Sequence, residues 1–229
     1  MGAIFDNTNT KFLYIYHGTQ PITATPLSII VWLKFTGVAT DQSFVNLEQD
    51  TTAPNYWGVS YNTGVSKFLA TTRNPTTEKT AAAASTSTST SNWYMAHGTW
   101  AGSDASRTVG YNGTQGTAES TTCALTVAPN YVHIGLRGGP NDPANANIAY
   151  VAIYNTDISA HLSALYTKKP SDHAASYASC VAFWDFSQAT NQLNDLKGSF
   201  NLSNEGTVTF NTDAPTFSTL LPLMGQAIF

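Results

Sequence analysis

The sequence predicts an all-β chain: a jelly-roll sandwich of two antiparallel sheets with one short helix. Three observations predict it. The 229 residues include 33 Thr and 20 Ser but only four Glu, at Glu48, Glu78, Glu119 and Glu205, so a β-branched residue is abundant and helix formers are scarce. Short apolar runs recur between turn residues along the chain. A single segment carries the three- and four-residue apolar spacing of an amphipathic helix. Many short strands and few helices define a sandwich rather than an α/β layer.

The strand candidates follow in order: 11–17 (KFLYIYH), 27–35 (LSIIVWLKF), 43–48, 56–61 (YWGVSY), 66–72, 93–101, 107–112, 131–136, 147–155, 180–186, 200–203 and 207–210. The stretch 92–113, NWYMAHGTWAGSDASRTVGYNG, reads as a hairpin, two apolar runs around the polar loop AGSDA. Trp93 and Trp100 supply large apolar area for a sandwich interior, and Asn112-Gly113 is the residue pair of a tight turn. In 147–155, Ile148, Tyr150, Ala152 and Tyr154 alternate with Ala149, Val151 and Ile153. Apolar residues on both faces suit a strand with no fully wet side.

The helix candidate is 159–169, SAHLSALYTKK. Ser159 is placed to cap it, Leu162, Leu165 and Tyr166 share a face, Lys168 and Lys169 suit the C-terminal dipole, and Pro170 stops it. The segment 81–91, AAAASTSTSTS, fits either a flexible loop or an edge strand with its hydroxyls in water. It has no bulky apolar residue and cannot be core. The last piece, 214–229, is uncharged, broken by two prolines, and carries Phe217, Leu220, Leu221, Leu223, Met224, Ile228 and Phe229. That much apolar surface must be covered. Either it folds back or it docks on a partner chain; the sandwich is already complete by Phe210, which favours the partner. The expected organisation is therefore a domain over 1–213 and an apolar arm over 214–229.

Composition excludes several classes. Charged residues make up only 10% of the chain and the net charge is -4. No Lys/Arg cluster occurs beyond Lys168-Lys169, so no nucleic-acid partner is expected. No run of about 20 apolar residues occurs, so no membrane span is expected. The start, MGAIFDNTN, lacks a basic and apolar leader, and Asp6 breaks the myristoylation pattern. Two cysteines, Cys123 and Cys180, make no disulfide framework and are read as small buried thiols. The acceptor triplets at Asn112 and Asn201 are read as turn chemistry.

Several motifs occur in order: LSIIVWLKF (27–35), the Trp-rich hairpin ending in Tyr111-Asn112-Gly113, VHIGLRGG (132–139), and NIAYVAIYNTDISAHLSALY (147–166). Together they resemble the laminin-G-like, concanavalin A-like lectin/glucanase superfamily, over roughly residues 3 to 210. The resemblance implies a jelly roll with one concave sheet. The segment 181–215 is similar to the tails of such domains in proteins of tailed bacteriophages, which implies a non-enzymatic virion protein. Such a protein would be made in the host cytoplasm and decorate a capsid, or serve as a head or tail fibre. Its partners would be the major capsid protein or further copies of itself, reached through 214–229. The alternative is a carbohydrate-binding, receptor-recognition module; a glycoside hydrolase is a distant third.

Enzymes of this fold carry Glu-x-Asp-x-x-Glu on one strand, where two carboxylates act as nucleophile and acid/base. Glu48 and Asp50 match the first two positions, and Ala53 occupies the third, so catalysis is not expected. No His pairing has metal spacing, and no G-x-S-x-G elbow occurs. For Ca²⁺, which members of this family often bind, the loop 137–147 offers the oxygens of Asn141, Asp142, Asn145 and Asn147, although one carboxylate is few and these are ordinary turn residues. For a glycan, Tyr56, Trp57 and Tyr61 are the aromatic candidates. Trp57, Val59 and Tyr61 share one face of their strand and Tyr56 lies on the other. The Trp57 face fits a stacking platform or the core.

Overall fold

The computed structural model describes residues 2–8, 10–16, 21–49, 55–83, 88–137, 142–170, 172, 177–198 and 200–217. Fifteen strands form within them: β1 (Gly2–Asp6), β2 (Phe12–Tyr16), β3 (Leu27–Phe35), β4 (Gln42–Glu48), β5 (Tyr56–Asn62), β6 (Lys67–Arg73), β7 (Glu78–Ala82), β8 (Tyr94–Trp100), β9 (Arg107–Tyr111), β10 (Thr114–Gln115), β11 (Tyr131–Ile134), β12 (Asn145–Tyr154), β13 (Cys180–Asp185), β14 (Ser203–Glu205) and β15 (Thr209–Asn211). They make two antiparallel sheets. The eight-stranded sheet runs β10-β9-β8-β3-β12-β1-β15, with β13 also paired to β12; the seven-stranded sheet runs β14-β2-β11-β4-β5-β6-β7. This is the jelly-roll sandwich expected from the strand count and turn spacing. β1 is an addition, because GAIFD is too short and too near the start to show alternation.

One core lies between the sheets. It joins Phe5, Leu33, Phe35, Phe44, Phe68 and Trp100 with the inward residues of every long strand. Trp100 is fully buried and its indole N–H donates to Thr72 Oγ1 at 3.0 Å. A second apolar layer, including Ile30, Met95, Tyr150 and Phe183, lies on the outer side of the eight-stranded sheet. The α-helix α1 (Leu162–Thr167) seals part of it through Leu162 and Leu165.

This second layer explains why β12 is apolar on both faces, but the faces are not those of strict alternation. Its register against β3 shifts between Ile148 and Tyr150. Ile148 therefore joins Val151 and Ile153 in the inter-sheet core, while Ala149 joins Tyr150, Ala152 and Tyr154 outside. A bulge adds one residue and reverses the phase.

The helix is shorter than its apolar spacing suggests, a 3-10 turn (Ser159–His161) leading into α1. Ser159 does not cap it: the N-cap positions, Ile158 and His161, make no side-chain cap bond, and Asp157 Oδ1 accepts from Ser159 N–H at 2.8 Å in the turn that leads in. The hairpin of 92–113 forms from β8 and β9 in register from Ala96 with Tyr111 to Trp100 with Arg107. Asn112 (φ 52°) and Gly113 (φ 79°) make the two-residue turn into β10, where both must be left-handed. The Ser/Thr-rich segment begins as the edge strand β7, and residues 84–87 lie outside the described residues.

Segment 181–215 returns to the fold through β13, β14 and β15. Its loop is organised by Asp195, whose carboxylate accepts backbone N–H groups from Phe183, Lys197, Gly198 and Phe200. Cys123 and Cys180 are both buried free thiols; burial pushes Cys180 up to about 12. Asn112 and Asn201 use their side-chain oxygens on Met95 N–H and Asp195 N–H, as turn residues do. Among the described residues no helix is long and apolar enough to cross a membrane.

Candidate binding face on the seven-stranded sheet

Directly paired residues of neighbouring antiparallel strands share a face. Following the register across the seven-stranded sheet therefore assembles a surface from distant parts of the chain. One row runs Tyr16, Tyr131, Glu48, Tyr56, Arg73, Glu78. The next runs Tyr14, His133, Asn46, Gly58, Thr71, Thr80. Their chain neighbours, such as Ile15, Val132, Leu47 and Trp57, point into the core, so both rows face outward. At about 4.8 Å per strand, six strands give each row a span of roughly 24 Å.

One end of this face is aromatic. The Tyr16 and Tyr131 rings lie 4.7 Å apart, Tyr131 stacks on His133 at 5.3 Å and 15°, and Phe12 meets His133 edge-on at 5.4 Å. Tyr16 is 60% exposed. The Glu48 carboxylate contacts His133 Nδ1 beneath these rings.

The other end is a polar cleft of about 110 Å³. Arg137 reaches over it from the loop after β11. Its Nη1 donates to the Tyr56 hydroxyl at 3.0 Å, its guanidinium carbon lies 5.5 Å from the Tyr56 ring centre, and Nη2 pairs with Asp142 at 3.1 Å. Burial raises the Tyr56 hydroxyl pKa above its ordinary value, offset in part by the Arg137 charge, so Tyr56 keeps its proton. Asn46 Nδ2 donates to the Leu136 carbonyl at 3.0 Å and anchors the start of that loop. A Cβ at position 58 would lie 2.2 Å from Asn46 Oδ1, so glycine leaves the floor of the cleft open. At the rim, Asp41 accepts from Asn62 Nδ2 (2.9 Å), Thr63 N–H (2.8 Å) and Thr63 Oγ1 (2.8 Å).

The three aromatic glycan candidates separate. Tyr56 stands on the outer face and lines the cleft. Trp57 belongs to the inter-sheet core, and the platform reading fails for it; Tyr61 packs in the same core while also bordering the cleft. A strand half buried on one side puts its bulkiest apolar alternation inside, and Trp57, Val59 and Tyr61 are that alternation. The calcium candidates do not gather either. The Asp142 carboxylate faces Arg137, and Asn145 Oδ1 accepts from Thr36 Oγ1 at 2.7 Å. Asn147 Nδ2 points to Asp213 at 3.5 Å, and Asn141 lies outside the described residues. No three His, Cys, Asp or Glu residues cluster to hold a metal among the described residues.

Sequence reasoning missed Tyr14, Tyr16, Tyr131 and Arg137. The alternation of Phe12, Tyr14 and Tyr16 is a visible signal for an aromatic outer face. Arg137 is a single basic residue in a loop and gives none.

Phe217, expected to dock on a partner, packs on its own domain. Its ring meets Trp32 edge-on at 5.1 Å and Tyr150 at 6.3 Å. Trp32 and Tyr150 are large and α1 is short, so the returning chain completes their cover. With Trp32, Trp93 and Tyr166, Phe217 lines a groove of about 400 Å³. Leu220, Leu221, Leu223, Met224, Ile228 and Phe229 lie outside the described residues.

No protein-family model and no curated protein matches the sequence. Solved structures do match. A candidate carbohydrate binding protein from Bacteroides ovatus is 10% identical with a TM-score of 0.66, covering 95% of this chain and 61% of that one. The CBM40 of a Ruminococcus gnavus IT-sialidase, solved bound to α2,3 sialyllactose, is 11% identical with a TM-score of 0.55, covering 72% and 97%. Domains LG4-5 of the mouse laminin α1 chain are 8% identical with a TM-score of 0.54, covering 68% and 42%. This chain thus spans less than two thirds of the Bacteroides and laminin chains. The fold is the laminin-G-like, concanavalin A-like jelly roll, as the ordered motifs implied.

Proposed function

We propose that the chain is a carbohydrate-binding module and that its site is the outer face of the seven-stranded sheet. The observation that carries this reading is the cross-strand row that joins an aromatic pair, exposed Tyr16 and half-buried Tyr131, to the polar cleft under Arg137. Sugars present apolar C–H faces and rings of hydroxyls. Flat aromatics take the first, and fixed amides, hydroxyls and a guanidinium take the second. Tyr16, Tyr131, Tyr56, Asn46 and Arg137 supply that set. The carbohydrate-binding neighbours of the same fold support the reading.

The reading is one of binding without catalysis. Glu48 is buried against His133, and Ala53 stands where a third carboxylate would be needed. The test is a glycan array followed by titration calorimetry on any hit. Tyr16→Ala and Arg137→Ala should each weaken binding about tenfold, and Trp93→Ala, on the opposite sheet, should not. An array without a single hit would remove the proposal.

The virion role implied by the tail resemblance is a setting for such a module. Co-sedimentation of the chain with phage capsids tests it, and a chain that stays free would leave only the glycan reading.

A further inference from the structure

We infer that the cleft recognises neutral saccharides and discriminates against anionic ones; this rests on the carbohydrate-binding reading. The argument is one of charge. Two guanidiniums stand in or beside the cleft, and each is already matched: Arg137 with Asp142 at 3.1 Å, Arg73 with Glu78 at 3.0 Å. A third carboxylate, Asp41, lines the same cleft, is held by Asn62 and Thr63, and has no ion-pair partner among the described residues. Between Arg137 and Asp142 the sequence reads Gly, Gly, Pro and Asn, with no charged residue.

A sugar carboxylate entering here would meet a guanidinium whose charge is spent and an aspartate whose charge is not. It would compete with Asp142 for Arg137 and stand beside the unmatched charge of Asp41. A sugar hydroxyl has no such cost. It donates to Asp41 or Asp142 and accepts from Arg137 or the Asn46 amide. Like charges set against one another suppress wrong partners, as matched contacts reward right ones.

The experiment is an array carrying paired neutral and acidic glycans, the acidic ones sialylated or uronic, followed by calorimetry with the full chain and with Asp142→Asn. The wild-type chain is expected to bind neutral members and to bind their acidic counterparts about tenfold more weakly or not at all. Asp142→Asn, which frees Arg137, is expected to shift the acidic-to-neutral affinity ratio at least about tenfold toward acidic. Equal or preferential binding of acidic glycans, or an unchanged ratio in the variant, would overturn the inference while leaving a glycan-binding face. Binding to no glycan would overturn both. A folded far-UV spectrum of the variant shows that its ratio reports on charge and not on unfolding.

Discussion

Replacing Gly135 by alanine tests how the seven-stranded sheet is held against the core. Gly135 follows β11 at φ +88°, and its N–H donates to the Phe44 carbonyl at 2.9 Å. A Cβ there would stand 2.1 Å from the Phe5 ring, which is 1% exposed in the inter-sheet core. Two costs add. A side chain at left-handed φ costs about 1–2 kcal/mol, and forcing a methyl into a packed ring costs about 1–3 kcal/mol. The sum, about 2–5 kcal/mol, corresponds to a drop in Tm of roughly 5–15 °C for a chain of this size. The assay is urea unfolding followed by tryptophan fluorescence. Gly102→Ala is the control, because a Cβ there meets nothing within 4 Å, and it should change stability by less than about 0.5 kcal/mol. In a Phe5→Leu background the Gly135→Ala cost should shrink toward its backbone part, a coupling of about 1 kcal/mol or more. A Gly135→Ala cost below about 1 kcal/mol, or no coupling to Phe5, would refute the steric reasoning.

Three further outcomes follow from buried polar groups. Asp195→Ala should cost about 2–4 kcal/mol in urea unfolding, because four backbone N–H groups lose one charged acceptor. Trp100→Phe should cost about 2–3 kcal/mol, combining a small cavity with the loss of the bond to the fully buried Thr72; a value under 1 kcal/mol would show that the core closes over the gap. His97 is fully buried, and burial lowers its pKa to about 4. The unfolded chain, with His near 6.5, takes up the proton first as pH falls. Stability is therefore retained above pH 6.5 and eroded between 6.5 and 4, by about 3 kcal/mol in all. Unfolding of His97→Gln should show a correspondingly flatter pH dependence in that window.

The fold was legible because its signals are local. β3 and the β8–β9 hairpin announce themselves in LSIIVWLKF and in the Trp-rich run closed by Asn112-Gly113, and each needs only its own residues to be recognised. Failures occur where one residue changes the meaning of its neighbours. The bulge at Ala149 reverses the faces of β12, and no feature of NIAYVAIYN marks it. Asp157 holds the Ser159 amide from outside the apolar spacing that defines the helix. A sandwich finished at Phe210 points Phe217 toward a partner, but completion of the strands is not completion of the cover. The outer layer over Trp32 and Tyr150 is invisible to a strand count.

The candidate face was far less legible, and the reason is topological. Tyr16, Tyr131, Glu48 and Tyr56 come from four strands separated by up to 115 positions and meet only through register. Aromatics close together in sequence, such as Tyr56, Trp57 and Tyr61, are the ones that stand out along the chain. Yet in a strand with one face in the core, alternation guarantees that adjacent aromatics are divided, one inside and one outside. Proximity in sequence is then evidence against a shared platform. The sounder signal is a row at spacing two that includes polar or exposed members, as in Phe12, Tyr14 and Tyr16. Even that signal identifies only one strand of a site built across six. The cleft depends further on an absence, the missing side chain of Gly58 beneath Asn46, and on Arg137 leaning in from a loop. Both acquire meaning only when β4 and β5 are laid side by side, so the chemistry of this face belongs to the pairing of the strands and to no single stretch of chain.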